Sequence, residues 1–217
     1  MDANRTSELN QLIQPLESLK HENWNLSTKT DIEKYTEMFS QYGSVATQIS
    51  KEQAILQSLC FEYMTVRHSR IVDARAKTFD WIFEAAYLHF TNPRSPIKFV
   101  EWLHSSRGIY WVSGKPGSGK STLMKYLSEN WRTSRELKLW ARGSTLVTAS
   151  FYFWNAGTAM QKSQQGLLQS ILFEVLNQCP DMIPSICPEL WEKLGRGYIT
   201  SAWSLKSLSS SFELLKA

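Results

Sequence analysis

One stretch limits the folds open to this chain more than any other: Gly114-Lys115-Pro116-Gly117-Ser118-Gly119-Lys120-Ser121. It fits G-x-x-x-x-G-K-S/T, the pattern of a phosphate-binding loop. Gly114, Gly117 and Gly119 carry no Cβ, so the backbone can take positive φ and close around phosphate oxygens. Successive N–H groups then form a nest for an anion. Lys120 brings a positive charge to the β- and γ-phosphates, and the Ser121 hydroxyl is placed to ligate Mg2+. A helix opening near Lys120 adds the positive end of its dipole, with Thr122 in the first turn. The expected nucleotide-binding set is therefore Gly114, Lys115, Pro116, Gly117, Ser118, Gly119, Lys120, Ser121 and Thr122. Ser121 is the expected metal ligand, and the expected ligands are ATP or GTP with Mg2+.

Such a loop must follow a buried strand and open a helix. Before it runs Gly108-Ile109-Tyr110-Trp111-Val112-Ser113, β-branched and aromatic without a charge, which reads as a buried parallel strand. After it, Leu123, Met124 and Leu127 fall on one helical face. Further on, Leu146-Val147-Thr148-Ala149-Ser150-Phe151-Tyr152-Phe153-Trp154 is a second charge-free run and reads as another strand. Strand, helix, strand predicts a parallel sheet with a right-handed crossover. Asn155 would end that strand at the ligand edge, though a plain turn explains it better.

The expected fold is thus α/β: a partial P-loop parallel sheet with helices, preceded by an all-α region. Residues 1–50 read as a helical N-terminal region, 51–92 as a helical lead-in, and 93–217 as the partial nucleotide domain. Asn92-Pro93-Arg94-Ser95-Pro96 marks the boundary. In the first region, Leu9, Leu12, Ile13, Leu16 and Leu19 share a face around 6–20, kinked at Pro15. That stripe suits packing within a bundle, and secondarily a protein partner. A second helix is expected from Asp31 to Phe39, with Gly43 past its end. A long helical region should run from Lys51 to about Phe90, with Ile55, Leu59, Tyr63 and Val66 in register and Arg67, Arg70 and Arg75 on a solvated face. Phe99, Trp102 and Leu103 predict a short helix. Residues 131–144, with Arg132, Arg135, Lys138 and Arg142, read as a surface connection. Ser163 caps a strongly apolar helix that Pro180 stops, 181–203 holds short helices and a loop, and Ser204 to Ala217 reads as a last helix.

Composition narrows the function classes. The chain has 217 residues, 42% apolar and 20% charged, with nine Trp, which is a soluble globular profile. A net charge of +4 without a Lys/Arg run does not call for nucleic acid. No apolar run approaches the roughly 18 residues of a membrane span. Met1-Asp2-Ala3-Asn4-Arg5 leads into no signal peptide, and an odd set of three cysteines, Cys60, Cys179 and Cys187, suits reduced thiols in the cytoplasm. Cys60 reads as a core residue.

A P-loop NTPase also needs an apolar strand ending in an acid to help hold Mg2+. Downstream of Ser121 only Ile171-Leu172-Phe173-Glu174 approaches that pattern, and it lies within a helical stripe. Asp181 follows Pro180 in a turn. No Walker B acid, general base or arginine finger is readable, so binding is expected and turnover is not.

From Gly108 to Leu127 the chain resembles the NACHT-type domains of fungal NLR-like proteins. These belong to the STAND class of signalling NTPases, with the nephrocystin-type N-terminal module nearest. Ser150 to Gly157 with Gln161 to Leu168 resembles that family's second strand and following helix, and Ile55 to Phe83 its helical lead-in. The resemblance covers about 52–217. It implies ATP or GTP on Gly114–Ser121, Lys120 on phosphate, Ser121 on Mg2+, and nucleotide exchange as a switch for oligomerisation. It also implies a front half that stops before the Walker B strand. Two rival readings stand beside it: a P-loop small-molecule kinase, and a helical adaptor with a vestigial loop that binds partners through residues 1–90. The kinase would need a basic lid, which residues 132–142 supply poorly because they precede the second expected strand.

Overall fold

The computed structural model describes residues 29–84, 99–105, 108–197 and 202–216. The expected helix at 6–20 and the breaker at 92–96 lie outside them. The chain divides into two compact units, residues 1–59 with 176–217, and residues 60–175.

In the first unit, α1 (Lys29–Leu59) is one helix of 31 residues. The shorter helix expected from Asp31 to Phe39 is part of it, and Gly43 sits inside it rather than past its end. Hydroxyls at Ser44 and Thr47 bond back to the carbonyls of Gln41 and Gly43 at 2.7 Å each, within the helix. Ile55, Leu56 and Leu59 bury its last turns. After a turn at Pro180–Met182 come α7 (Ile183–Ile186), α8 (Pro188–Gly195) and α9 (Leu205–Leu214). α1 packs on α8, and α7 on α8 and α9. Trp203 Nε1 donates to Ser58 Oγ at 3.0 Å, and the Lys51 ammonium lies 5.0 Å above the Trp191 ring. The last helix starts where expected: Ser204 caps it in a capping box with Ser207.

In the second unit the expected long helix to Phe90 is overturned. α1 stops at Leu59, Tyr63 takes a left-handed φ of 63°, and only a short α2 (Val66–Arg70) follows. Ile55 and Leu59 of the expected stripe are buried, but Tyr63 is exposed. A bulky residue at positive φ ends a helix whatever the apolar spacing. Cys60 is exposed, not a core residue, and none of the three thiols is in a disulfide. A 3-10 turn spans Asp80–Phe83, and α3 (Phe99–Ser105) forms as expected. α4 (Lys120–Glu129) and α5 (Trp131–Ala141) follow, and α6 (Gln164–Gln178) runs on to the boundary between the units. Ile82, Phe99, Leu103, Leu123 and Leu127 form the core of this unit, rimmed by Phe79, Trp81, Tyr110, Val112 and Tyr126. The dense apolar stretch at 78–83 therefore docks on helices.

The expected α/β parallel sheet is not there: among the described residues there is no strand. Residues 108–113 and 146–154 are irregular. Two facts account for the misreading. The stretch before the loop is only half buried: Tyr110 and Val112 face the core, while Ile109 and Trp111 are 85% and 82% exposed. A strand also exists only through a neighbour's backbone. The second stretch spends its amides elsewhere, Ser150 N on the Glu174 carboxylate at 2.7 Å and Trp154 N on the Gln161 carbonyl at 3.0 Å. Asn155 lies in a turn closed by Gly157 N on Trp154 O at 2.9 Å, so the turn reading holds but no strand ends there.

Residues 131–144 are mostly the helix α5, not a connection. Asn130 caps it, its side chain accepting from Arg132 N at 2.8 Å.

Candidate functional site

The loop at 114–121 is a tight turn followed at once by a helix. Ser118 N bonds to Lys115 O at 3.2 Å, and Gly117 and Gly119 take φ of 77° and 82°. Gly119 is the N-cap of α4 in the left-handed region, with no side-chain cap, and Leu123 N bonds to its carbonyl at 2.8 Å. The N–H groups of Lys120, Ser121 and Thr122 thus open α4 without a side-chain acceptor. Gly114, Lys115, Pro116, Gly117, Ser118 and Ser121 are exposed, whereas Gly119, Lys120 and Thr122 are half-buried. Lys120 Nζ donates to the carbonyls of Gly114 and Lys115 at 2.8 Å each, which folds the ammonium back over the loop. These features bring together backbone donors, one cation and one hydroxyl on an open surface.

The donor set fits a phosphate group. A Cβ added at Gly117 or Gly119 would meet nothing within 4 Å, so the space above the loop is open. For Mg2+ the loop supplies the Ser121 hydroxyl, and Mg2+ ordinarily completes its shell with phosphate oxygens and water. Among the described residues no group of three His, Cys, Asp or Glu is placed to hold a metal. Glu174 lies inside α6, and burial pushes its carboxyl above the usual range while the Ser150 amide pulls it back. Glu174 therefore ends no strand. Asp181 lies in the exposed 3-10 turn.

Several polar contacts that sequence reasoning missed hold α4 in place. Lys125 Nζ donates to Asp73 Oδ1 at 2.6 Å and to Ile71 O at 3.2 Å. Tyr126 OH donates to Asp80 Oδ1 at 2.6 Å, and His68 Nε2 meets Glu129 Oε1 at 2.9 Å. Leu123 and Leu127 face the core, but Met124, expected beside them, is exposed. Lys125 is buried on the far side, two residues and about 200° around the helix. A lysine amid leucines gives no signal of burial in a sequence. Arg70 and Arg75 are exposed, as a solvated face requires, while Arg67 is half-buried; Arg67 and Arg70 also lie over the Trp154 ring at 5.8 and 5.0 Å.

Compared with known protein families, residues 77–217 match the one described as nephrocystin 3, N-terminal. The chain belongs to this nephrocystin 3 N-terminal family. The match takes in the phosphate-type loop, α4 and everything after them. No curated protein and no solved structure matches the chain. Among its described residues no helix is long and apolar enough to cross a membrane.

Proposed function

We propose that this nephrocystin 3 N-terminal chain binds a nucleoside triphosphate, ATP or GTP, with Mg2+, as the nucleotide module of a NACHT/STAND-type signalling protein. The observation that carries this is Gly119, a left-handed residue that opens an uncapped helix beneath an exposed glycine loop. Backbone amides and the helix dipole hold the phosphates. The Lys120 ammonium, now on the Gly114 and Lys115 carbonyls, turns to the β- and γ-phosphates, and Ser121 contributes a hydroxyl to Mg2+. Bound Mg2+ would neutralise phosphate charge. The sequence offers no strand-end acid after Ser121 to orient water, so this reading is of binding without turnover.

Titration of labelled ATP and GTP with Mg2+ into the wild-type chain and Lys120→Ala tests this. The expected result is binding that weakens at least tenfold in the variant, with phosphate release at background. Equal affinities, or no binding to either, would overturn it. The absence of a strand among the described residues favours the second reading, a helical interaction module with a vestigial loop. That reading predicts the overturning result.

A further inference from the structure

The segment 68–80 is held to α4 by three side-chain contacts and one backbone contact, all along the helix that opens with Lys120 and Ser121. Glu129 takes His68, Lys125 takes Asp73 and the Ile71 carbonyl, and Tyr126 takes Asp80. The Arg70 guanidinium also lies over the Trp154 ring and Phe79 packs on the Tyr126 ring, so the two ends of the segment are anchored and its middle is not. Ile71 is buried, but Val72, Asp73, Arg75, Ala76, Lys77 and Thr78 are exposed. Lys77 takes a left-handed φ of 64°. Few buried contacts around exposed backbone mark a part that opens at low cost.

Lys125 ties the segment to α4 through the Asp73 carboxylate and the Ile71 carbonyl. Its side chain is 11% exposed, and it meets one carboxylate, that of Asp73, which is 82% exposed. An ammonium taken from water needs those partners. Asp73 is free to return to water. With the segment closed, the ammonium is satisfied by protein; with it open, water must reach Lys125.

We propose that residues 68–80 are a strap latched to the phosphate-loop helix, and that Lys125 is the positioning residue coupling strap closure to nucleotide binding. This rests on the nucleotide reading above. A closed strap fixes α4, whose first-turn amides must be held to a fraction of an ångström to grip phosphate. Coupling is reciprocal, so nucleotide must also hold the strap shut.

The strap carries its own reporter, because trypsin cuts after Arg75 and Lys77, both exposed. In the wild-type chain, saturating Mg2+–ATP or Mg2+–GTP should slow cleavage at these bonds by about fivefold or more, the lower end of ordinary coupling. Asp73→Asn, at a side chain 82% exposed, should weaken nucleotide about fivefold and reduce the protection below twofold. Lys125→Met should do both more strongly. A purely structural latch would lower the melting temperature yet leave nucleotide-dependent protection intact. Nucleotide that binds the wild type without protecting these bonds, or Asp73→Asn with unchanged affinity and protection, overturns the coupling and leaves the nucleotide reading standing. A wild-type chain that binds no nucleotide overturns both.

Discussion

Two lysines of α4 show how little a residue type reveals about its surroundings. Lys120 stands out in the sequence by its motif, and its ammonium folds over the loop that precedes it, while buried Lys125 carries no sequence signal because a lysine in a helix is ordinarily on the surface. The Asp73 hydrogen bond raises the Lys125 ammonium above its ordinary value, with burial opposing, and lowers the Asp73 carboxyl. Gly119 is legible for a different reason: its φ of 82° disfavours side chains on backbone grounds alone, since a Cβ there would touch nothing. Gly119→Ala should therefore cost about 1–2 kcal/mol in urea unfolding, the left-handed penalty, with no added clash. The thiols separate cleanly. Burial pushes Cys187 up to about 11, with the Ser211 hydroxyl pulling the other way, whereas Cys60 is exposed. Iodoacetamide at pH 8 should label Cys60 first and reach Cys187 only as the fold opens; mass spectrometry of timed quenches checks the order, and prompt labelling of Cys187 would contradict its burial.

At the scale of elements, serine-capped helix starts are legible in the sequence, whereas the ends expected at Phe39 and near Phe90 are not where the chain puts them. Ser163 and Ser204 start α6 and α9 as capping chemistry requires, with Gly166 N on Ser163 Oγ at 3.0 Å. α5 escaped detection because its pattern is inverted. Trp131, Leu139 and Trp140 are exposed, while Thr133 and Glu136 are buried. Glu136 tolerates this because Arg135 and His104 both meet its carboxylate, which lies below the usual range chiefly through the Arg135 hydrogen bond. The same inversion misled the strand expectation at 108–113, where apolar did not mean inside. Asn130→Ala should cost about 1 kcal/mol by removing the α5 cap, measured by thermal melting. Gly166→Ala should cost more, about 3 kcal/mol. A Cβ there would overlap the Met160 carbonyl oxygen, and backbone must move to admit it. Near-neutral stability in that variant would mean that α6 does not approach residue 160 as described.

Across the described residues, the carboxyl groups with shifted ionisation, Asp73, Glu136 and Glu174, all lie in the unit 60–175. Asp73 and Glu136 bind protons more weakly folded than unfolded, so their stabilisation is present above the ordinary carboxylate value of about 4 and is lost as pH falls through their lower folded values. Glu174 has the opposite sign: the folded chain holds its proton more tightly, so stability declines as pH rises from about 4 into its raised range. Acidification from neutrality should first change this unit little, because the Glu174 gain precedes the other two losses, and then loosen it below about pH 4. At the alkaline end the burden shifts. Cys187, in the unit of 1–59 and 176–217, stays protonated up to about 11 in the folded chain while an unfolded thiol ionises earlier, so that unit loses stability between its ordinary value of 9.0 and about 11. Amide exchange read segment by segment should therefore show 60–175 opening first at pH 3 and the Cys187 unit losing protection by pH 10. The reverse order at pH 3 would mean that the carboxylates of Asp73 and Glu136 do not carry the weight their contacts imply.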